Sequence, residues 1–289
     1  MGATPEQQVV ISWNDGIESV DIELSPTTGT TGFIFASPST PTVTAGNPAL
    51  FDRLDDLVAP LQVVEDDWWG RAQEDLGEPT RTEPTPLPDL APTTVQASNR
   101  KALSRWLDAN GLELTDAATE AVSQYAKSGW TLTLMSLAGA GQLAPIHVEF
   151  AVDRPVFPLR LAAASPGPTS YRMYVFDDSR TTIRQSPHIG RELNAARTMV
   201  WAGSVSDPAL TKRGGYLTVT DLRFDDPQVQ VTTDLGIAAA RADDELIPSV
   251  VVYRPIELLG FPLGWLIVVW SGIGALVGVG YLANRFRAK

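Results

Sequence analysis

Two histidines, His147 and His188, are the only imidazole groups in the sequence, and they are the first candidates for acid–base chemistry. His147 lies in the alternating segment Ile146 to Val152, whose apolar residues share one face, so we expect its side chain to face solvent or a hydrogen-bond partner. His188 lies in a predicted turn. A catalytic triad would need Ser136 or Ser186 beside one imidazole, and no Gly-x-Ser-x-Gly turn presents such a serine. The sequence therefore predicts no catalytic residue.

Carboxylates occur in several short runs, among them Glu65–Asp67, Asp177–Asp178, Asp225–Asp226 and Asp243–Glu245. Calcium needs several oxygens converging on one loop, commonly at alternating positions with a glycine for the bend, and none of the runs has that spacing. We predict solvated turns, no metal site and no cofactor. If a cation does bind, we expect Asp177, Asp178 and Asp225 to hold it where strand ends converge. The absence of cysteine excludes disulfide bonds and thiolate metal sites in this chain.

Trp68 and Trp69 form a tandem aromatic pair between the first acidic run and a Pro-rich segment. Neighbouring side chains on an extended segment point to opposite faces, so one ring is expected to be available to a sugar, a peptide or a partner protein. Packing of both rings in the core is the alternative interpretation. We predict Trp68 and Trp69 as partner-binding residues.

The stretch from Leu258 to Asn284 contains no charged residue and is dense in large apolar side chains. A helix over residues 262–282 rises roughly 30 Å, which matches the thickness of a bilayer core. We therefore predict a juxtamembrane linker over residues 251–261 and one transmembrane helix over residues 262–284. A buried helix in a soluble core is the competing interpretation, but such helices seldom run this long without a charge.

A basic stub over residues 285–289 follows this segment, whereas the other flank offers one arginine offset by one glutamate. The positive-inside rule predicts a cytoplasmic C-terminus and an outside body, held at the cell membrane by a single span. An outside domain of this size is expected to be exported with a cleaved signal peptide, and the sequence shows none. The residues predicted at the membrane interface are Trp265, Tyr281, Arg285, Arg287 and Lys289.

Small residues recur in the predicted span at a spacing of three and four, at Gly264, Ser271, Gly274 and Gly278. Small residues on one face let a second helix approach closely, and that approach drives association where lipid removes the hydrophobic incentive. We predict this face as a partner-binding site, for self-association or for another membrane protein. The alternative is that glycine is simply common in spanning helices.

Residues 1–250 are predicted as one extracytoplasmic α+β domain, with mainly antiparallel sheet and with its helices in the N-terminal half. Alternating residues on both sides of Asn14-Asp15-Gly16 indicate a hairpin. Residues 70–92 mix prolines with acidic residues and lack large apolar side chains, so they are predicted to form an exposed, mobile loop.

Three helices are indicated by caps and apolar stripes, and they begin near Pro48, Asn99 and Asp116. Strands are predicted to dominate afterwards, among them Leu159 to Ala162 and Val229 to Thr233. The body is also strongly acidic, because the formal net charge of the whole chain is −12 and its last five residues are basic. Such a body repels phosphate backbones, so nucleic acid is excluded as a partner.

Several segments together are similar to a known family, and they are Val9 to Leu24 with its Trp and NDG turn, Pro48 to Leu54, Trp106 to Gly111, Gly129-Trp130, Leu143 to Phe150, Arg154 to Leu161 and Gly215 to Thr218. The chain resembles the bacterial exported family called domain of unknown function 2330, over about Val9 to Asp234. The resemblance implies a fold and an exported location, and it carries no activity. Members generally have a signal peptide and an N-terminal cysteine motif, and this sequence has neither.

These observations favour a non-enzymatic, membrane-anchored binding protein or accessory subunit of a membrane or envelope complex. One alternative is an envelope hydrolase whose polar groups converge only in three dimensions, in a pocket expected to gather Arg160, Asp177 and His147. Another alternative is a cation-dependent surface module. The expected partners are the lipid bilayer and either a membrane protein or a second copy of the chain.

Overall fold

The computed structural model describes residues 6–23, 27–69, 92–141, 144–186, 195–258 and 261–262. The chain divides into two compact units, of which the first comprises Met1–Val58 with Arg81–Ile247 and the second Ala59–Thr80 with Pro248–Lys289.

The strands described in the first unit are β1 (Glu6–Asn14), β2 (Ile17–Glu23), β3 (Thr27–Ser37), β4 (Thr42–Ala45), β6 (Thr93–Gln96), β7 (Thr131–Gly141), β8 (Ile146–Ala151), β9 (Val156–Phe157), β10 (Thr169–Asp177), β11 (Thr181–Ser186), β12 (Ala196–Ser204), β13 (Tyr216–Phe224) and β14 (Asp234–Ala239). The helices described there are α1 (Pro48–Val58), α2 (Arg100–Asn110), α3 (Asp116–Lys127) and α4 (Pro227–Gln230), with a 3-10 helix at Arg160–Ala164. The α+β class with mainly antiparallel sheets is confirmed.

The chain starts with the predicted hairpin. Strands β1 and β2 pair antiparallel and are joined by Asp15 and Gly16, whose φ angles are 52° and 79°. Two positive φ angles make a type I′ turn, which matches the right-handed twist of the flanking strands. Strand β1 also pairs parallel with β10, so the hairpin lies in the middle of a seven-stranded sheet of order β12-β13-β10-β1-β2-β8-β4.

The main core lies between this sheet and two smaller sheets, of orders β3-β7-β6 and β11-β14-β9. Alternation decides which residues enter it. On β7, Met135 and Leu137 belong to the main core, whereas Leu132 and Leu134 belong to a second cluster on the opposite face. A strand such as β7, with apolar side chains on both faces, must therefore be packed against other elements on both sides.

The helices supply the outer cover. Leu50, Phe51 and Leu54 of α1 pack with β-sheet residues such as Tyr174 in a buried cluster on the free face of the seven-stranded sheet. Helices α2 and α3 place Leu103, Val122 and other apolar residues in a cluster with the outer face of β3-β7-β6. Hence the first unit consists of helix, sheet, sheet and helix layers.

The predicted caps of these helices are confirmed. The side chain of Asn99 accepts a hydrogen bond from the backbone N–H of Ala102 at 3.2 Å, and that of Thr115 accepts one from Ala118 at 3.2 Å. Gly111 ends α2 with a left-handed φ of 64°. Such caps satisfy backbone groups that the helix itself leaves unpaired.

Two predicted strands are wrong. Residues 159–162 are mostly in the 3-10 helix Arg160–Ala164, and residues 229–233 begin in α4, Pro227–Gln230. Proline at the first helical position suits α4 because its missing N–H has no partner there in any case. The backbone N–H groups of Leu159 and Arg160 donate to the side chain of Asp234 instead of to a strand. These hydrogen bonds to a distant side chain thus take the place of the strand pairing that the local sequence pattern predicted.

The second unit contains a two-stranded parallel ribbon made of β5 (Leu61–Asp67) and β15 (Ser249–Pro255). It is followed by a short antiparallel pair of β16 (Glu257–Leu258) and β17 (Phe261–Pro262). The predicted juxtamembrane linker over residues 251–261 is therefore partly strand, and Pro262 lies in β17 rather than in a first helical turn. In the part of the chain that the structure describes, no helix has the length and apolar character needed to cross a bilayer. Residues 263–284 of the predicted transmembrane helix lie outside the described residues.

Candidate functional site

The β5–β15 ribbon exposes large apolar side chains on both of its faces. Leu61 is 59% exposed, and the neighbouring Val63 and Val64 are 45% and 55% exposed. Because consecutive strand residues point to opposite faces, Val63 and Val64 expose apolar surface on the two faces of β5. Val251, which pairs with Val63 across the ribbon, is 43% exposed. Neither face of the ribbon is sealed from water.

The tandem tryptophans follow the end of β5 directly. Trp68 is 46% exposed and Trp69 is 51% exposed, so the alternative of core packing for both rings is wrong. Buried Asp67 anchors this corner, since its carboxylate accepts a hydrogen bond from the backbone N–H of Trp69 at 3.3 Å and its carbonyl accepts one from Ile256 at 2.9 Å. Two aromatic rings are thus held at the surface by a fixed backbone. Their role in partner binding stays a prediction.

Charge on the ribbon is mainly negative. Glu65 and Asp66 are exposed, and Arg254 on β15 pairs with Asp66 at 2.7 Å. An exposed ion pair of this kind contributes little stability. The exposed surface therefore combines valine and tryptophan side chains with a net acidic rim.

A second polar cluster lies on strands β2 and β8 of the first unit. His147 and Asp21 are register partners, and the imidazole Nδ1 lies 2.8 Å from Oδ1 of Asp21. The ring Nε2 lies 3.3 Å from Oε1 of Glu149. Nη1 of Arg213 lies 2.7 Å from the second oxygen of Asp21, in an ion pair that departs from hydrogen-bond geometry. The predicted hydrogen-bonded role of His147 is confirmed.

Both carboxylates stabilise the protonated imidazole. The hydrogen bond to Asp21, more than any other contact, raises the pKa of His147 above its ordinary value, against the opposing effect of burial. A raised imidazole pKa contributes stability that is present below the ordinary pKa and is lost as pH rises through the folded value. With a carboxylate at each ring nitrogen, neither nitrogen is placed to take a proton from a nucleophile. The hydroxyl of Ser19 donates to Glu149 at 3.1 Å and not to the imidazole.

The pocket expected to gather Arg160, Asp177 and His147 is absent from the described structure, because each residue has different partners. Arg160 lies 3.3 Å from Asp234. Asp177 accepts a hydrogen bond from the backbone of its neighbour Asp178 at 2.7 Å. His147 pairs with residues of β2 and β8, as described above.

Arg160 belongs to a buried network that joins α3, the 3-10 helix and β14. The hydroxyl of Tyr125 donates to Oδ1 of Asp234 at 2.6 Å, and the guanidinium of Arg160 lies 5.5 Å from the centre of the Tyr125 ring. Burial raises the pKa of the Tyr125 hydroxyl well above its ordinary value, so Tyr125 stays protonated and donates. Trp130 stacks on the same ring with centroids 5.0 Å apart. This network connects elements distant in sequence.

The carboxylates named as the conditional candidate for a cation site do not converge, because they lie at opposite ends of a strand pair. Asp177 is the last residue of β10 and pairs with Tyr216 at the start of β13. Asp225 follows the last residue of β13, which pairs with the first residue of β10. That separates the two residues by roughly 30 Å at about 3.4 Å per residue. Asp225 pairs instead with Arg223 at 2.8 Å, and no group of three metal-ligating side chains occurs among the described residues.

Several predicted residues lie outside the described part of the chain, and they are His188, the small-residue face Gly264, Ser271, Gly274 and Gly278, and the interface residues Trp265, Tyr281, Arg285, Arg287 and Lys289. Residues 70–91 of the predicted mobile loop lie outside it as well.

Sequence reasoning missed the burial of Glu18, which is one of four buried acidic residues in the described part of the chain. Its side chain is fully buried, one oxygen accepts a hydrogen bond from the backbone of Val156 at 2.9 Å, and the other has no partner. Burial raises the pKa of Glu18 to about 8 from an ordinary 4.5. The signal was available, because Glu18 shares its strand face with buried Val20 and Ile22.

Comparisons with known proteins add one informative match. A family model described as an uncharacterized protein conserved in bacteria (DUF2330) matches residues 3–238. No curated protein matches the chain in sequence. Among solved structures, the crystal structure of baculovirus P35 matches over 86% of this chain and 97% of that chain, with 10% identity and a TM-score of 0.36. At that TM-score the likeness supports no statement about fold or function.

Proposed function

The chain belongs to the DUF2330 family of uncharacterized proteins conserved in bacteria, and on that premise we propose that it is a membrane-tethered, non-enzymatic ectodomain whose β5–β15 ribbon binds a membrane-protein partner. The family resemblance identified from the sequence motifs is confirmed. We propose in addition its extracytoplasmic location, its membrane anchor and its membrane-protein partner.

One observation carries the proposal, and it is the exposure of apolar side chains on both faces of a parallel ribbon. Parallel strand pairs in proteins are nearly always covered on both faces. A two-stranded ribbon is also marginally stable in water by itself. Val63, Val64 and Val251 therefore present the kind of surface that is completed by another chain.

The position of the ribbon favours a partner in or at the membrane. Strand β15 ends at Pro255, and the uncharged stretch begins three residues later at Leu258. If residues 262–284 span the bilayer, the chain leaves the ribbon within a few residues of the lipid surface. Small residues of the predicted span would then extend the same interface into the membrane.

The charge of the ribbon favours protein over lipid. Exposed Glu65 repels anionic headgroups, whereas Asp66 is already paired with Arg254. A protein can meet Glu65 with a basic residue, pair with the edge of β5 that has no partner among the described strands, and cover the valines. Trp68 and Trp69 are of the residue type that most often dominates binding energy at such contacts.

The proposal is tested by gentle solubilisation of membranes and identification of co-isolated chains. We expect the unaltered protein to bring down a defined membrane protein, and the double variant Trp68→Ser, Trp69→Ser to recover at least tenfold less of it. Val229→Ser is the matched control, because Val229 is an apolar residue of the first unit that is 66% exposed. A clean monomer from unaltered membranes, or equal recovery with the double variant, would contradict the proposal.

Topology is tested separately with protease added to spheroplasts. We expect the acidic body to be digested from outside while a tag placed after Lys289 stays protected. Full protection of the body would place it in the cytoplasm and would remove the membrane-side partner.

An envelope hydrolase is the second candidate, and it requires Glu149 to leave the imidazole Nε2 of His147, because only the Asp21 side of the ring is arranged as in a catalytic pair. That is the side from which a catalytic imidazole is oriented. Hydrolysis of ester and amide substrates by the purified chain, lost in His147→Ala and kept in Arg223→Ala, would support it. Activity that survives His147→Ala would dismiss it.

A further inference from the structure

A cleft in the first unit gathers four arginines. Its volume is about 330 Å³, and the described residues that line it include Arg180, Arg184, Arg197 and Arg241 and, among those described residues, no aspartate or glutamate. The chain as a whole has 34 acidic residues against 22 basic ones. Arg180 is ion-paired with Asp244 at 3.8 Å, whereas Arg184, Arg197 and Arg241 have no carboxylate partner among the described residues. An anionic ligand in the cleft would supply their countercharge.

The cleft is built where the seven-stranded sheet meets the sheet β11-β14-β9. Arg184 comes from β11, and Arg197 comes from β12 at the edge of the large sheet. Two hydrogen bonds fix the junction, since Arg197 Nη1 donates to the carbonyl of Ile183 at 2.7 Å and the backbone N–H of Thr181 donates to the hydroxyl of Thr218 at 3.0 Å. Arg184 and Arg197 are thus held by strands, which favour a preformed site, whereas Arg180 precedes β11 and Arg241 follows β14.

Two buried groups of the cleft have no hydrogen-bond partner. The Nε of Arg184 is buried and pairs with no acceptor, and the hydroxyl of Thr181 is buried without a partner although the residue is only 4% exposed. Buried donors without acceptors are rare in folded proteins. The two groups lie in the lining of the same cleft. A ligand oxygen in the cleft would supply an acceptor for the Nε of Arg184, whereas the Thr181 hydroxyl shares its strand face with the core residue Ile183.

We propose that this arginine cleft binds a phosphate group, either as inorganic phosphate or as part of a small organic phosphate. Guanidinium groups bind phosphate through paired N–H donors in a planar fork, and each such bond is charge-assisted. A phosphate dianion offers more oxygens and more charge than a single carboxylate, and so it can engage several of the four arginines at once. Ile183, Met199 and Ala240 also line the cleft and provide apolar contact for an organic portion.

The experiment is a titration of the purified full-length chain with inorganic phosphate, followed by calorimetry and by the melting temperature, at constant ionic strength. We expect saturable binding and a phosphate-dependent rise in melting temperature. Arg184→Gln and, separately, Arg241→Gln should weaken binding at least tenfold. Arg241 is exposed, so its substitution is not expected to disturb folding. No saturable binding by the unaltered chain would overturn the proposal.

The matched control is Arg223→Gln, which removes the same charge from β13 outside the cleft, at a side chain that is 57% exposed. Unchanged binding in this variant supports a specific site, whereas an equal loss would overturn it as a general charge effect. Titrations with glycerol phosphate and with citrate distinguish an organic phosphate, the free phosphate ion and a carboxylate anion as the ligand. Tighter binding of glycerol phosphate than of inorganic phosphate assigns an organic phosphate, and equal binding assigns the free ion. Tighter binding of citrate than of either would overturn the assignment to phosphate.

Discussion

Strand β10 of the first unit and strand β5 of the ribbon carry similar apolar residues but differ in what covers them. On β10, Met173 and Val175 enter the main core, while Tyr174 and Phe176 are buried with α1 on the opposite face. On β5, Val63 and Val64 stay about half exposed. Both strands use apolar residues on two faces, so local pattern does not reveal where the cover comes from. In β10 it comes from the same chain, and in β5 we propose that it comes from another.

Carboxylate groups are also buried in the first unit and exposed to water on the ribbon. In the first unit, buried Asp21 and Asp234 have charged and hydrogen-bonding partners from other elements. On the ribbon, Asp66 pairs with Arg254 at a site where both side chains are largely in water. Loss of a polar contact should therefore be costly in the first unit and nearly neutral on the ribbon.

The largest effect is expected from truncating the core at Phe224. This ring is fully buried and lies edge-on to Tyr171 with centroids 6.4 Å apart. Phe224→Ala should lower the free energy of unfolding by about 3–5 kcal/mol, because it removes a large side chain and leaves a cavity. Urea denaturation measures the change. A loss below about 1 kcal/mol would show that the core between the sheets is loosely packed, and the contrast with the ribbon would disappear.

The second effect depends on pH and concerns Glu18. Its folded pKa is raised to about 8, so between pH 4.5 and 8 the folded state keeps a proton that the unfolded state releases. The free energy of unfolding then falls by up to about 1.4 kcal/mol per pH unit across that window and levels off above it. Glu18→Gln cannot ionise, and we expect its stability advantage over the unaltered protein to grow from pH 5 to pH 8. Parallel stability curves for the two proteins would contradict the buried, protonated state of Glu18.

A smaller effect is expected from Tyr125→Phe, which removes the hydroxyl that donates to Asp234 at 2.6 Å. Asp234 keeps its contacts from the backbone of Leu159 and Arg160, so the carboxylate is not left unpaired. We expect a loss of about 1–2 kcal/mol in thermal or urea unfolding. No loss would mean that backbone donors alone satisfy Asp234, and that the network does not join α3 to β14.

Local features of the fold could be predicted from the sequence, and features made by distant residues could not. The Asp15-Gly16 turn and the cap at Asn99 depend on neighbouring residues alone, and both are confirmed. The 3-10 helix at Arg160–Ala164 depends on Asp234, more than 70 residues further on, and it was predicted as a strand. Similarly, the expectation that Asp177 and Asp225 converge required the register of β10 with β13.

The same distinction holds for the candidate sites. Exposure of one tryptophan ring was one of two interpretations that the sequence left open, and both rings are exposed in the bend that follows β5. The arginine cleft combines residues from positions 180 to 241 on two sheets, and no local spacing marks them. Glu18 is the intermediate case, because its strand face is readable from alternation while the depth of its burial depends on the covering sheet.

The smallest effect is expected from Val251→Thr, and it gives the sharpest test of the comparison because the same substitution can also be made in β10. Val175 on β10 is 2% exposed and Val251 on β15 is 43% exposed, and valine to threonine keeps the shape while adding a hydroxyl. Val175→Thr buries that hydroxyl and should cost about 1–3 kcal/mol. Val251→Thr leaves it in water and should change the free energy of unfolding by less than about 0.5 kcal/mol in the isolated chain. If the partner is present, the Val251 variant should instead lose stability of the complex, since the hydroxyl then enters an apolar contact. If the two substitutions lower the free energy of unfolding of the isolated chain equally, Val251 is already buried without a partner. The ribbon would then have no exposed apolar surface for a partner to bind.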